Sequence, residues 1–207
     1  ELGLNNIFTY GPENLPVVSR FGQMKFSADG RRFISVNGGD GAEGSLDLFD
    51  FDNRTGKLTN FRRLSIPPFI YPGTVRREMW GAEFSPDATK LYYENNKQLV
   101  YQYDLADTLN PVTLLSQITS NNNSVYQFQL APNGKIYFTT FGNRITTAGV
   151  IEQPNAKGVA CNFQLRGQDL AGREIIDRLP SFVASYFYRA NPTFAAQSTC
   201  LGEATSF

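Results

Sequence analysis

Histidine is absent from this 207-residue chain. That removes the commonest general base and the commonest metal ligand together. Ser-His-Asp and Cys-His catalysis, and any zinc site containing His, are therefore excluded within the chain. Cysteine is scarce: Cys161 and Cys200 are the only two. Two thiols are too few for a Cys-only zinc centre or a disulfide scaffold, and the sequence leaves their pairing open. Neither sign of charge is in excess, with 19 Lys+Arg against 19 Asp+Glu. No basic surplus is available to neutralise a run of phosphates, which argues against nucleic acid as a partner. No polybasic stretch suits an anionic membrane. No apolar run reaches the ~20 residues that a spanning helix requires. The N-terminus lacks the charged-then-apolar pattern of a signal peptide, but Glu1 opens in mid-phrase, so further chain is expected upstream. Helical windows are nearly missing: the best, Ala171 to Leu179, is short and ends at Pro180.

Aromatic residues are plentiful, with 17 Phe and 10 Tyr, a bias that favours strands. One phrase recurs three times: an alternating run, a tight turn, a second alternating run. It reads Gln23-Met24-Lys25-Phe26-Ser27-Ala28-Asp29-Gly30, then Ala82-Glu83-Phe84-Ser85-Pro86-Asp87-Ala88, then Gln127-Phe128-Gln129-Leu130-Ala131-Pro132-Asn133-Gly134. Phe26, Phe84 and Leu130 fall in register, 58 and 46 residues apart. A period of roughly 40–50 residues built of short strands belongs to β-propeller blades. The expected fold is all-β: a partial propeller of about three four-stranded blades.

The first repeat runs from about Arg20 to Ile66. Its hairpin turns at Asp29-Gly30, a glycine-rich loop follows at 38–44, and Ser45 to Asp52 alternates with period two. Asn53-Arg54-Thr55-Gly56 turns the chain into a fourth strand, Lys57 to Phe61. The second repeat runs from about Glu78 to Ile118, with its third strand at Gln98 to Leu105. The segment 66–79 reads as a loop between the two. The third repeat runs from about Ser124 to Leu170, with a third strand around Ala148 to Ile151 and a fourth at Ala160 to Leu165. Asn6 to Tyr10 reads as a lead-in strand and Leu179 to Phe187 as a further strand-like stretch. Residues 1–190 thus form one expected unit, the last blades of a propeller, and 191–207 a linker or the first strand of another module. A propeller needs about four to eight blades to close, so the remaining blades are expected upstream of Glu1.

The blade phrases carry a resemblance. Leu48-Phe49-Asp50-Phe51-Asp52-Asn53-Arg54-Thr55-Gly56, Tyr101-Gln102-Tyr103-Asp104-Leu105, Ile151-Glu152-Gln153-Pro154-Asn155 and the tail Leu179-Pro180-Ser181-Phe182-Val183-Ala184-Ser185-Tyr186-Phe187 are similar to the propeller region of large secreted Bacteroidetes proteins. Those proteins carry gliding-motility-associated C-terminal sorting domains and leave the cell by type IX secretion. The resemblance covers about residues 20–190 in the family's order. It implies a secreted or cell-surface location, possible contact with type IX secretion components, and an Ig- or PKD-like module beginning within 191–207. It also implies that Cys200 finds its partner inside that module rather than in Cys161. It brings no catalytic residues with it.

Several local features have a plain reading and a functional one. Asp50, Asp52, Asn53 and Thr55 crowd oxygen atoms into one hairpin; turn capping is the plain reading, calcium the functional one. The glycines of 38–44 precede a strand, whereas a phosphate cradle needs a helix, so a loop is expected. Trp80 is placed at the start of the second repeat's inner strand, either packed between blades or stacked on a sugar or peptide. Arg62-Arg63 and Arg76-Arg77 read as a solvated basic face. Asp107-Thr108-Leu109 is similar to a short O-glycan acceptor pattern of Bacteroidetes. No residue stands out as catalytic, cofactor-binding or metal-ligating, and no cofactor is implied.

These observations lead to a non-enzymatic module of a secreted or surface protein, serving adhesion, recognition or domain display, with a surface protein or glycan as partner. The loops 38–44 and 66–79 are the expected contact regions. Two alternatives stand beside it: a carbohydrate- or peptide-active hydrolase using carboxylates, and a structural spacer or export cargo bound to the secretion machinery.

Overall fold

A computed structural model describes residues 22–38, 44–71, 74–76, 78–119, 124–142, 145–175, 178–180 and 184–187. The lead-in strand, most of the glycine-rich loop, Cys200 and all of 191–207 lie outside the described residues.

Each repeat forms one four-stranded antiparallel meander. The first holds β1 (Met24–Phe26), β2 (Arg32–Asn37), β3 (Ser45–Asp52) and β4 (Lys57–Arg63). Between repeats lies a small hairpin, β5 (Phe69–Tyr71) with β6 (Thr74–Arg76). The second sheet holds β7 (Ala82–Phe84), β8 (Lys90–Asn95), β9 (Leu99–Asp104) and β10 (Val112–Gln117). The third holds β11 (Ser124–Leu130), β12 (Ile136–Phe141), β13 (Thr147–Ile151) and β14 (Phe163–Asp169).

The recurring phrase works as one turn. Asp29 Oδ1 accepts from Ser27 Oγ at 2.5 Å and from Arg31 N at 3.1 Å. Asp87 Oδ1 accepts from Ser85 Oγ at 2.6 Å and from Thr89 N at 3.0 Å. In the third repeat Asn133 Oδ1 takes Lys135 N at 3.1 Å. Each turn then passes through the left-handed region, at Gly30 (φ 66), Ala88 (φ 57) and Gly134 (φ 80). Glycine fits there without strain, and Ala88 carries the cost of a Cβ. A second regularity lies at the outer edge. In every sheet the third and fourth strands shift register, at Leu48/Asp50, Leu114/Ser116 and Ala148/Val150. Such bulges twist an edge strand away from edge-to-edge pairing.

No sheet buries itself. Ile34, Val36, Leu46 and Leu48 of the first sheet pack on Phe84, Leu91, Tyr93 and Tyr101 of the second. The opposite face of the second sheet, through Tyr92 and Val100, packs on Phe128, Leu130, Ile136 and Phe138 of the third. The middle sheet is therefore covered on both faces, and every residue of β8 is buried. The first strands of the three sheets lie together on the inside. Lys25 Nζ of β1 reaches Glu83 Oε2 of β7 at 3.2 Å and Gln129 Oε1 of β11 at 2.6 Å. Sheets standing face to face with their first strands gathered inward are propeller blades, and the chain is a partial β-propeller of three blades.

The third blade is fastened to the second by its 153–158 loop. Tyr92 Oη donates to Pro154 O at 2.7 Å. Gln102 Nε2 donates to Tyr92 Oη and to Ala156 O, each at 2.7 Å, and Gln102 Oε1 accepts from Gly158 N at 2.8 Å. Outside this clasp, Lys157 Nζ pairs with Asp107 Oδ2 at 2.6 Å.

Three expectations need correction. The 66–79 segment is not loop throughout, because β5 and β6 pair within it. The fourth strand of the third repeat does not begin at Ala160: Gly158–Cys161 forms a 3-10 turn, and β14 follows at Phe163. Asn162, at φ 53, makes the break between them. The Ala171–Leu179 window, read as too short for a normal helix, is turn and irregular backbone among its described residues and needs no correction. The strand-like stretch 179–187 instead carries one helical turn, α1 (Ala184–Phe187), whose Ala184 packs into the core between blades two and three.

Candidate functional site on the loop face

An antiparallel meander sorts its connections to two ends. The turns joining strands one to two and three to four lie at one end. The turns joining two to three, and the crossovers between blades, lie at the other. Gly38 and Gly44, at the facing ends of β2 and β3, therefore share one end of the chain with the β8–β9 turn and with the crossover that enters β7; residues 39–43, 72, 73 and 77 lie outside the described residues. Three contacts tie this end together. Asn95 Nδ2 donates to Pro67 O at 2.9 Å, Asn96 N to Glu78 O at 2.5 Å, and Gln23 N to Trp80 O at 3.0 Å. Gly38 lies so close to the crossover that a Cβ there would stand 2.0 Å from Met79 O.

Trp80 lies two residues before β7, not at its start. It is half-buried, edge-on to Tyr126 of the third blade at 5.7 Å between ring centroids. The ring bridges two blades, as the packing role expects, and is half-buried. Tyr126 in turn meets Phe141 at 5.8 Å, and Phe141 is 49% exposed. The three rings form a continuous aromatic strip across the second and third blades.

A cation lies on this strip. Lys97 Nζ stands 4.7 Å from the Trp80 centroid and 5.3 Å from that of Tyr126, within the range of cation–π attraction. Among the described residues its ammonium has no hydrogen-bond acceptor. The backbone beneath it is unusual. Asn96 (φ 55) and Lys97 (φ 60) are consecutive left-handed residues, as a type I′ hairpin turn requires. The second position ordinarily belongs to glycine, and a side chain there costs about 1–2 kcal/mol.

Glu94 holds the arrangement from behind. It is fully buried. Its Oε1 accepts from Trp80 N and from Gly81 N, the latter at 3.2 Å, and its Oε2 accepts from Lys97 N at 2.8 Å. One carboxylate thus anchors both the tryptophan and the lysine through their backbones. Burial pushes its carboxyl up to about 8, against the pull of the three N–H donors.

The other carboxylates singled out by their burial are also engaged. Burial raises Glu83, while the Lys25 cation and the Leu130 and Phe84 N–H groups oppose the shift. Asp47 takes Arg63 through two bonds, Nε at 2.8 Å and Nη2 at 3.0 Å. Arg63 is thus ion-paired to Asp47 while remaining on the exposed face with Arg62. Asp104 lies between Lys90 at 3.4 Å and Lys157 at 3.6 Å.

The Asp50–Thr55 hairpin is a capped turn. Asp52 accepts from Arg54 N at 2.9 Å and from Thr55 Oγ1 at 2.7 Å, and Asp50 from Asn60 Nδ2 at 2.7 Å. Among the described residues no group of His, Cys, Asp and Glu side chains is arranged to hold a metal ion. Thr108 is exposed in a turn organised by Asp107, which accepts from Leu109 N at 3.0 Å and Asn110 N at 2.9 Å. Those donors and Lys157 hold the Asp107 carboxyl down at about 2. Cys161 is a buried free thiol, and burial raises it.

No family model and no curated protein matches the sequence. Solved structures do. A hydrazine synthase of Kuenenia stuttgartiensis aligns at 18% identity and TM-score 0.42, covering 70% of this chain and 36% of that one. A protein assigned as a 6-phosphogluconolactonase from Bacteroides fragilis aligns at 19% identity and TM-score 0.46, covering 75% and 39%. An auxiliary nutrient binding protein of Bacteroides thetaiotaomicron aligns at 16% and 0.45, covering 72% and 32%. The chain spans about a third of the length of these structures. Likeness at this level assigns no activity; the fold stands on the chain's own sheet packing.

Lys97, Glu94, Tyr126 and Phe141 were not legible as site residues from their sequence context. A polar residue inside an apolar strand (Glu94 after Tyr92-Tyr93) and a lysine in an Asn-rich hairpin turn were the available signals.

Proposed function

We infer that the chain is a non-enzymatic recognition module, contributing blades to a larger propeller in a secreted or cell-surface protein. Adhesion or surface recognition is its work, and a surface protein or glycan is its partner. The observation that carries this reading is the loop face. Gly38, Pro67, the crossover residues Glu78 to Gly81 and an aromatic strip bearing a cation gather at one end of a scaffold braced by backbone hydrogen bonds. Binding residues characteristically sit on loops held by a rigid framework. Of the five buried carboxylates among the described residues, Asp47, Glu83, Glu94 and Asp104 are each engaged by cations or N–H groups. That supports binding over carboxylate hydrolysis.

Membership of a larger ring is supported by one repeat position. Phe84 and Leu130 are fully buried because a preceding blade covers each, whereas Phe26 in the first blade is 37% exposed. Phe26 lies against Phe33 at 5.0 Å and Phe51 at 4.6 Å, beside Met24, which is 70% exposed. This apolar face matches those that receive a neighbour in blades two and three, and upstream blades are its natural cover. Export through type IX secretion follows from the resemblance of the blade phrases and belongs to the same proposal.

The test is a glycan and peptide binding screen on the protein and on a variant with 38–44 and 66–79 replaced by short turns. Binding that disappears in a variant with an unchanged circular dichroism spectrum supports the reading. Turnover of any screened substrate overturns it.

A further inference from the structure

We propose that the open face of the first blade seats a further four-stranded blade from chain upstream of Glu1, and that the inner strand of that blade brings a side-chain oxygen acceptor, from Asp, Glu, Asn or Gln, to the Phe26 amide at the ring axis. This rests on the reading of the chain as part of a larger propeller and adds the chemistry of the blade that adjoins it.

Strand register decides where the Phe26 amide points. β1 meets β2 with Lys25 opposite Ile34, and the flanking bonds run from Ser27 N to Arg32 O at 3.0 Å and from Val36 N to Gln23 O at 2.9 Å. Hydrogen-bonded positions alternate along an antiparallel pair, so Lys25 and Ser27 bond to β2 while Phe26 N is turned away from it, toward the axis. The same parity holds in the other blades. Ser85 N donates to Lys90 O and Ala131 N to Lys135 O, each at 2.9 Å, which turns Phe84 N and Leu130 N to the axis as well. One side chain caps both: Glu83 Oε1 accepts from Phe84 N and Glu83 Oε2 from Leu130 N, each at 3.0 Å. Phe26 N, at the same position of the repeat, has no acceptor among the described residues.

The first blade cannot supply one. Lys25 holds the place that Glu83 holds in the second blade, and an ammonium only donates. Met24 and Phe26, the other residues of β1, carry no oxygen. The neighbouring amide oxygens are turned elsewhere: Gln23 Oε1 takes Phe128 N at 3.4 Å, and Gln129 Oε1 takes Lys25 Nζ at 2.6 Å. A blade seated on Phe26 and Met24 would take the Phe26 amide out of water, and a buried N–H without an acceptor is costly. The acceptor therefore comes with the blade that buries it, as Glu83 of the second blade serves Leu130 of the third.

The occupant is a blade because the face repeats an interface already built. In the second blade Phe84, Leu91 and Tyr103 stand opposite one another across three strands and pack toward Ile34, Val36, Leu46 and Leu48 of the first. In the first blade Phe26, Phe33 and Phe49 hold the same register positions, with ring centroids 5.0 and 6.0 Å apart. The seated blade presents apolar residues from its second and third strands, as the first blade does to the second.

The experiment uses the intact polypeptide, with the photo-reactive residue p-benzoylphenylalanine in place of Met24, the most open side chain of the face. Irradiation and peptide mass spectrometry identify what covers it. The same residue in place of Tyr103 is the control, since that position faces the first blade and should cross-link to β2 or β3. Thermal melting of each variant identifies any that misfold. Beyond the first blade itself, cross-links from position 24 should fall in one stretch upstream of Glu1 that reads as alternating run, tight turn and alternating run, with Asp, Glu, Asn or Gln on its first run. That residue is then replaced by Leu, and amide hydrogen exchange is followed at Phe26 and Leu130. Exchange at Phe26 should rise by about tenfold or more while Leu130 keeps its protection. Exchanging the acid for its amide, or the amide for its acid, should leave Phe26 protected.

The proposal fails if position 24 cross-links instead to residues 1–21 or 188–207, to a second copy or to another polypeptide, or to nothing while the Tyr103 control reacts. It fails equally if the covering strand bears no side-chain oxygen, or if removing that oxygen leaves Phe26 exchange unchanged. An upstream cross-link to a strand without an acceptor would overturn the capped amide while leaving the larger ring standing. The recognition role is decided separately, by the binding screen and by turnover.

Discussion

Replacing Gln102 by Leu should destabilise the protein through the clasp between the second and third blades. The amide makes three hydrogen bonds, to Tyr92 Oη, Ala156 O and Gly158 N, at 2.7, 2.7 and 2.8 Å. Leucine has similar bulk but satisfies none of them. A buried polar group left without a partner costs about 1–3 kcal/mol. The Gln102–Tyr92 bond is buried, whereas water can reach the two loop groups in part. The expected loss is therefore about 2–4 kcal/mol rather than the full sum. Against a stability of about 5–15 kcal/mol, that is a large fraction. At about 2–4 °C per kcal/mol for a chain of this size, the melting point should fall by roughly 4–16 °C. Tyr92→Phe removes the donor to Pro154 O at 2.7 Å and should cost about 1–2 kcal/mol. Because the two side chains share a bond, the double variant should lose less than the sum, by about 0.5–1 kcal/mol. Urea denaturation of the four proteins measures the cycle. Hydrogen exchange at the Gly158 amide supplies a local readout, since Gln102 Oε1 is the acceptor holding it. If Gln102→Leu lies within about 0.5 kcal/mol of the parent, or the two effects add, the clasp does not fasten the blades and the reasoning is wrong.

Other outcomes follow from single sites. The Glu94 carboxyl sits at about 8 when folded, against an ordinary value of 4.5. A raised carboxyl stabilises the fold fully below the unfolded value and loses that contribution as pH rises through the folded one. Stability should thus decline between about pH 5 and 8, with Glu83 adding in the same direction; Glu94→Gln should flatten the decline while costing roughly 1–2 kcal/mol at low pH, and a chemical-denaturation series across pH measures both. An unaltered slope in Glu94→Gln would show that the group titrates elsewhere. Gly149→Ala would place a Cβ 2.0 Å from the Phe138 ring, which stacks on Phe163 at 5.0 Å; the expected cost is about 1–3 kcal/mol in melting or urea experiments. Cys161 is buried and its thiol raised, so alkylation followed by peptide mass spectrometry should find it unmodified in the native protein and labelled in urea.

Much of this architecture was written in local patterns. Strand alternation, the Asp-Gly and Asn-Gly turns and the threefold phrase are properties of windows about ten residues long. They identify the blades because hydrogen-bonding turns and period-two faces are decided by near neighbours. The same windows misled where tertiary packing overrode them. Ala184 to Phe187 is apolar enough for a strand, yet it makes a helical turn with Ala184 in the core between two blades. Ala160 and Cys161 look like the start of a strand, yet they lie in the Gly158–Cys161 3-10 turn, whose first amide donates to Gln102 Oε1 on the second blade.

The site lay beyond such windows altogether. Trp80, Lys97 and Tyr126 belong to a crossover, a hairpin turn and the inner strand of the next blade. Only the stacking of blade two on blade three brings their rings and charge within 4.7–5.7 Å. By itself, then, the chain's sequence determined that there would be four-stranded meanders with apolar faces too large to leave bare. Which carboxylates were buried, which arginine was paired and which lysine lay on an aromatic strip were decided by the tertiary structure. Burial and distance depend on residues far apart along the chain, and those relations come into being only when the sheets pack.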